Sequence, residues 1–214
     1  MKHTGISKIV AGCVSLFTAI TAAPAALLVS VDMDTGTPGI QSSISVLPGA
    51  AFSVDLWVTV DAAGLSSFSI SSTFDTTELS LNPPGGPAAS QPALPGGLAP
   101  FTPPSENNGL GQVYSFNGGT FGTGPVSTSF IFGSISFTAP TPVTNGVDDV
   151  SVGYFNLPGA IDDAFNNASV SVAPGTVFTG GKVNIVPEPC SAALLILGAC
   201  VSGALTRRRV RGAA

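Results

Sequence analysis

Apolar and polar residues alternate with a period of two along much of this chain, most cleanly over Phe52-Ser53-Val54-Asp55-Leu56-Trp57-Val58-Thr59-Val60-Asp61. Phe52, Val54, Leu56, Val58 and Val60 fall on one side; Ser53, Asp55, Trp57 and Thr59 fall on the other. Successive side chains of a strand point to opposite faces, so this spacing predicts a β-strand with one buried side. The same reading covers Val29, Val31 and Met33 between Ser30, Asp32 and Asp34. It also covers Ile40, Ile44 and Val46 around Gln41, Ser43 and Ser45, and Phe68, Ile70 and Phe74 among serines and Thr73. One-sided alternation is what antiparallel sheets show when one face is wet.

Strands resume with Tyr114 and Phe116, then with Phe130, Phe132, Ile135 and Phe137. The last four change parity after Phe132, which predicts a β-bulge at Gly133-Ser134. Val150, Val152 and Tyr154 predict another strand, Val170 with Val172 another, and Val183 with Ile185 the last. Leu56 and Phe132 are expected on facing sheets. Residues 83 to 111 interrupt the pattern with eight prolines, and Glu106 is their only charge. Such a stretch excludes a central strand and favours extended backbone. It is expected to be either a flexible insertion or a recognition loop. No internal repeat and no amphipathic helix is visible. The fold expected is all-β, a single antiparallel β-sandwich over residues 26 to 186.

The two ends read differently. Lys2 and Lys8 precede an apolar run from Ile9 to Ala22, and Ala23-Pro24-Ala25 supplies a small-residue cleavage site. Residues 1 to 25 are therefore expected to be a signal peptide. Val10-Ala11-Gly12-Cys13 has the look of a lipid-attachment site, but too few apolar residues separate it from Lys8. At the other end stands Val186-Pro187-Glu188-Pro189. The 17 uncharged residues from Cys190 to Thr206 follow, and as a helix they would span about 25 Å. Arg207, Arg208, Arg209 and Arg211 come next, a cationic stop that the positive-inside rule keeps on the cytoplasmic side.

Pro187, Glu188 and Pro189, the apolar segment 190 to 206 and the Arg cluster 207 to 211 together resemble the PEP-CTERM sorting signal of bacterial surface proteins. That resemblance implies an exosortase, a membrane-embedded processing enzyme, as partner. It also implies transient anchoring in the inner membrane and delivery to the outer surface or an exopolysaccharide matrix. The strand order, with Phe74-Asp75-x-x-x-Leu79 and Ser134-Ile135-Ser136-Phe137-Thr138-Ala139, resembles the cohesin-like β-sandwich (jelly-roll) family. Nothing in the sequence identifies a dockerin-binding face.

Charge narrows the partners further. Between the two ends lies one basic residue, Lys182, against eleven acidic ones. Such a surface repels phosphate backbones, so nucleic acid is excluded. The three cysteines (Cys13, Cys190 and Cys200) and the single histidine (His3) all lie outside the body. Ser-His-Asp and Cys-His catalysis and nitrogen- or sulfur-ligated zinc are thereby excluded from it, and no enzymatic activity is expected. No cofactor is expected either, although calcium would suit clustered carboxylates. Asp32-Met33-Asp34-Thr35-Gly36 begins like a calcium loop but has Ser43 where the bidentate Glu belongs. Asp148-Asp149 and Asp162-Asp163 are further candidate oxygen donors. Trp57 is expected to point outward, where it would stack on a sugar ring unless the 83 to 111 segment or a neighbouring strand covers it. Two roles follow for the body: a structural or adhesive matrix protein, or a glycan-binding module.

Overall fold

The computed structural model describes residues 27–84, 86–140, 148–157 and 161–186. The expected signal peptide, transmembrane segment and sorting tail lie outside these. Among the described residues no helix is long and apolar enough to cross a membrane.

Two sheets pack face to face. The first has the order β12 (Val177–Thr179), β1 (Leu28–Asp32), β3 (Ala51–Val60), β9 (Thr128–Thr138) and β5 (Ser80–Leu81), with β6 (Ala89–Ser90) also on β9. The second has the order β10 (Val150–Gly153), β4 (Ser67–Phe74), β8 (Gln112–Gly119) and β7 (Ser105–Asn107), with β11 (Asp163–Phe165) also on β4. A separate pair joins β2 (Ser43–Val46) to β13 (Lys182–Ile185). The sandwich is as expected, but it is not purely antiparallel: β1 with β12 and β2 with β13 run parallel. Periodicity within a strand carries no information about its direction relative to a neighbour.

Val54, Leu56, Val58 and Val60 of β3 are all buried, as their spacing predicts. They join Val29 and Val31 of β1 and Phe130, Phe132, Ile135 and Phe137 of β9 to form the inner face of the first sheet. Phe68, Ile70 and Phe74 of β4, Phe116 of β8 and Val150 of β10 are the core residues of the second sheet. The layers meet through aromatic edges: Phe132 lies 5.7 Å from Phe68 and 5.9 Å from Phe116, both T-shaped. Leu56 and Phe132 are therefore not on facing sheets. They sit on adjacent strands of one sheet, β3 and β9, and both point into the core.

The bulge in β9 falls one residue earlier than expected. Leu56 pairs with Gly133 and Trp57 with Ile131, leaving Phe132 as the extra residue. Gly133 is required there, because an added Cβ would come within 2.5 Å of the Phe116 ring. A second irregularity shifts the register of β4 and β8 between Ile70 and Ser72. Ser115 adopts a φ of 67° beside it, so Val113 is buried and Tyr114 only half-buried.

Residues 83 to 111 form no loose insertion. β5 and β6 lie one after the other along the same edge of β9, and β7 closes the outer edge of β8. Ala88, Ala89 and Leu98 are buried. The Glu106 carboxylate accepts the Ala89 N–H at 2.6 Å, tying the start of the segment to its end. Prolines confine such a chain to sheet edges, and two- or three-residue edge strands are what it forms. The strand expected over Val170 and Val172 does not form, although Val172 is buried as its spacing predicts. Val170 is exposed, only Ser171 makes an isolated bridge, to Phe165, and the chain enters a 3-10 turn at Ala173–Gly175.

Candidate functional site

Of the residues singled out by sequence, Pro187, Glu188, Pro189, Arg207, Arg208, Arg209 and Arg211 lie outside the described residues. The described chain reaches Val186, whose N–H donates to the Val46 carbonyl at 2.8 Å.

Trp57 points away from the core, as its parity requires, with Ser30 of β1 and Ile131 of β9 as its register partners. It is half-buried rather than presented, and its indole N–H is shut off from solvent with no hydrogen-bond partner among the described residues. An indole in this state has no N–H to offer a sugar hydroxyl.

The acidic pairs divide into turn-formers and one cluster. Asp32 Oδ1 accepts the N–H groups of Asp34 and Gln41, while Asp34 accepts from Gly36 N–H and the Thr37 hydroxyl. Asp162 accepts the Ser69 hydroxyl and the Phe155 N–H, and Asp163 accepts the Ala164 N–H and the Ser171 hydroxyl. These carboxylates hold loops closed, the usual local work of Asp in turns.

Asp149 does otherwise. It meets Asp75 and Glu78, and one carboxylate oxygen from each of the three lies within 4.8 Å of the others. Two chain segments deliver them, and a third, β13, braces Asp149. β4 ends in a turn where the N–H groups of Glu78 and Leu79 donate to the Asp75 carbonyl, bringing Asp75 and Glu78 to one side. The Asp75 N–H donates to the Asp149 carbonyl at 2.9 Å, and the Asp149 N–H donates to Gly181. From β13, Val183 N–H donates to Asp149 Oδ2. Glu78 and Asp149 are both buried. Burial pushes the Asp149 carboxyl above the ordinary carboxylate range. The Val183 N–H and Glu78 oppose the rise, while Asp75 and Asp148 add to it. Sequence reasoning found Asp149 but not its partners, because Glu78 looks like any acidic residue in a polar turn.

The outer face of the second sheet carries a groove that the sequence did not reveal. Two adjoining hollows of about 410 and 670 Å³ share Ser67, Phe101 and Phe165. Asn117 builds one wall: its Oδ1 accepts the N–H groups of Phe101 and Thr102, and its Nδ2 donates to the Thr102 hydroxyl. The Phe101 ring lies directly over Gly119, 2.4 Å from where a Cβ would stand. Phe101 is nevertheless 63% exposed and Ile161 86%. The lining is neutral hydroxyl and amide groups between aromatic rims, with Asp163 the one charge among the residues lining the two hollows.

No protein-family model matches this sequence, and no curated protein matches it. Solved structures do. A type III cohesin module from the cellulosomal ScaE cell-surface anchoring scaffoldin of Ruminococcus flavefaciens superposes with a TM-score of 0.53 at 14% identity, covering 76% of this chain and 88% of its own. The sixth cohesin of Acetivibrio cellulolyticus scaffoldin B, solved with a Cel5 dockerin, gives 0.49 at 15% identity over 75% of this chain and 99% of its own. A non-cellulosomal cohesin from Archaeoglobus fulgidus gives 0.42 at 13% identity over 80% and 97%. At such identities the likeness is one of fold, and the fold of this chain is a cohesin-like β-sandwich.

Proposed function

We propose that this chain is an exported, non-enzymatic binding or matrix module of a bacterial envelope, delivered by its signal peptide and processed by an exosortase at its Pro-Glu-Pro tail. The observation that supports this reading is where the folded body finishes. β13 ends at Ile185 and Val186 is tied back to β2, so the last described strand stops immediately before Pro187. A processing enzyme would then meet the Pro-Glu-Pro motif directly after the last strand of the body. Proline fixes φ and biases the residue before it towards extended backbone, so a Pro-Glu-Pro sequence would be bound by an enzyme at little entropic cost. The charge sits next to an apolar segment, where an unpaired carboxylate is costly unless another molecule reads it. Glu188→Gln keeps the shape and removes the charge. Fractionation of cells carrying it should find the protein exported but retained in the inner membrane. Release to the surface or medium at the parental rate would overturn the proposal.

A second reading, glycan binding, is favoured by the groove rather than by Trp57. Aromatic faces beside hydroxyl and amide groups suit a neutral sugar, which the acidic surface would not repel. Phe101→Ala should abolish retention on immobilised neutral polysaccharide from the host while leaving Tm unchanged. Equal retention of both proteins would remove this reading.

A further inference from the structure

We propose that Asp75, Glu78 and Asp149 form a calcium site at the end of the second sheet, where Asp149 also holds β13 through the Val183 N–H. Three oxygens within 4.8 Å of one another can all be reached by a single ion, since calcium–oxygen distances are about 2.3–2.6 Å and opposed ligands lie about twice that apart. A cluster of carboxylates alone would not make a site. The additional observation is Asp149 itself, which is only 2% exposed. One of its oxygens accepts from Val183, while the other, Oδ1, is buried with no hydrogen-bond partner among the described residues. A buried carboxylate oxygen without a donor is costly, and buried charges are ordinarily paired or coordinate a metal. Glu78 adds to the demand, because it too is completely buried and brings a second carboxylate oxygen within 4.8 Å of that of Asp149.

The chemistry of the donors selects the ion. All three are oxygen ligands, and the body contains no histidine or cysteine, so a hard cation is called for. Magnesium demands a near-octahedral shell and sheds water reluctantly, whereas calcium accepts an irregular, partly protein-built one. The backbone bonds among Asp75, Asp149, Gly181 and Val183 hold the ligands in place before the ion arrives. Asp148 lies beside the cluster and adds negative potential. Lys182 precedes Val183 in the strand that Asp149 holds.

The test uses the full chain purified in detergent, stripped with EDTA and titrated with CaCl₂ or MgCl₂. Calorimetric titration should find one calcium bound per chain. Thermal unfolding followed through the single tryptophan should show Tm rising by about 5 °C or more at saturating calcium, and much less with magnesium. Asp149→Asn should lose the calcium-dependent rise while its ion-free Tm equals or exceeds that of the parent. Asp34→Asn, which alters a turn carboxylate away from the cluster, should retain it. If Asp149→Asn does not fold, Asp75→Asn, on a half-exposed ligand, serves in its place. No calcium-dependent rise in the parent overturns the proposal. So does a rise that survives unchanged in Asp149→Asn or Asp75→Asn, or one that Asp34→Asn abolishes.

Discussion

The ring of Phe132 meets the ring of Phe116 edge-on across the two sheets, with centroids 5.9 Å apart and planes at 85°. Both side chains are completely buried. Phe132→Ala should destabilise the protein by about 3–5 kcal/mol through lost burial and the cavity left behind. A double-mutant cycle with Phe116→Leu should return a coupling of about 0.5–1.5 kcal/mol. Denaturant unfolding of the four proteins measures both, and additivity would mean the rings do not recognise each other.

Gly133→Ala tests the same junction from the backbone side. Its Cβ would press on the Phe116 ring, and overpacking of this kind costs about 1–3 kcal/mol. Shortening Phe116 to Leu should recover part of the loss. A Gly133→Ala protein as stable as the parent would show that the bulge relaxes freely.

How much of this was legible in the sequence depends on how far each feature reaches. β3 could be read residue by residue, because period-two alternation is local and its buried face is continuous from Val54 to Val60. The parity change in β9 announced its bulge, missing only which residue is extra. β5, β6, β11 and β12 were not readable, since pairings of two or three residues are set by the neighbour and not by their own side chains. The acidic cluster was half legible. Asp148-Asp149 stands out as a doublet, but only the fold brings it to Glu78, 71 positions earlier in the sequence. Trp57 shows the converse: its direction follows from parity, while its shielding depends on what packs over it.

Glu106 makes residues 83 to 111 testable as built structure. Glu106→Ala removes the acceptor of the Ala89 N–H, a charged hydrogen bond of about 1.5–3 kcal/mol at a half-buried position. Limited proteolysis should cut the variant within this segment while sparing the parent. Equal cutting of both would return the segment to the flexible insertion that its prolines suggest.

Tyr154 supplies a pH dependence. Burial pushes its phenol up to about 12; the hydrogen bond with Thr176 opposes the rise, and Asp163 and Asp162 add to it. The fold therefore favours the protonated phenol over the unfolded chain, where the group titrates near 10. This contribution to stability is fully present below pH about 10 and is lost as pH rises towards about 12. Unfolding measured across that window should show the parent losing stability that Tyr154→Phe does not lose.

The partner of β2 sets an order of events in time. Among the described residues β2 pairs with β13 alone, across some 140 positions of sequence. A chain that emerges N-terminus first displays Ser43–Val46 long before Lys182–Ile185 exists to satisfy it. Until then that backbone edge is open, a template for any other strand it meets. Closure waits for Lys182–Ile185, the last of the described strands, so β2 stays open until nearly all of the body has been made. The exposure of β2 therefore lasts about as long as synthesis of the body, and it ends at the last described strand.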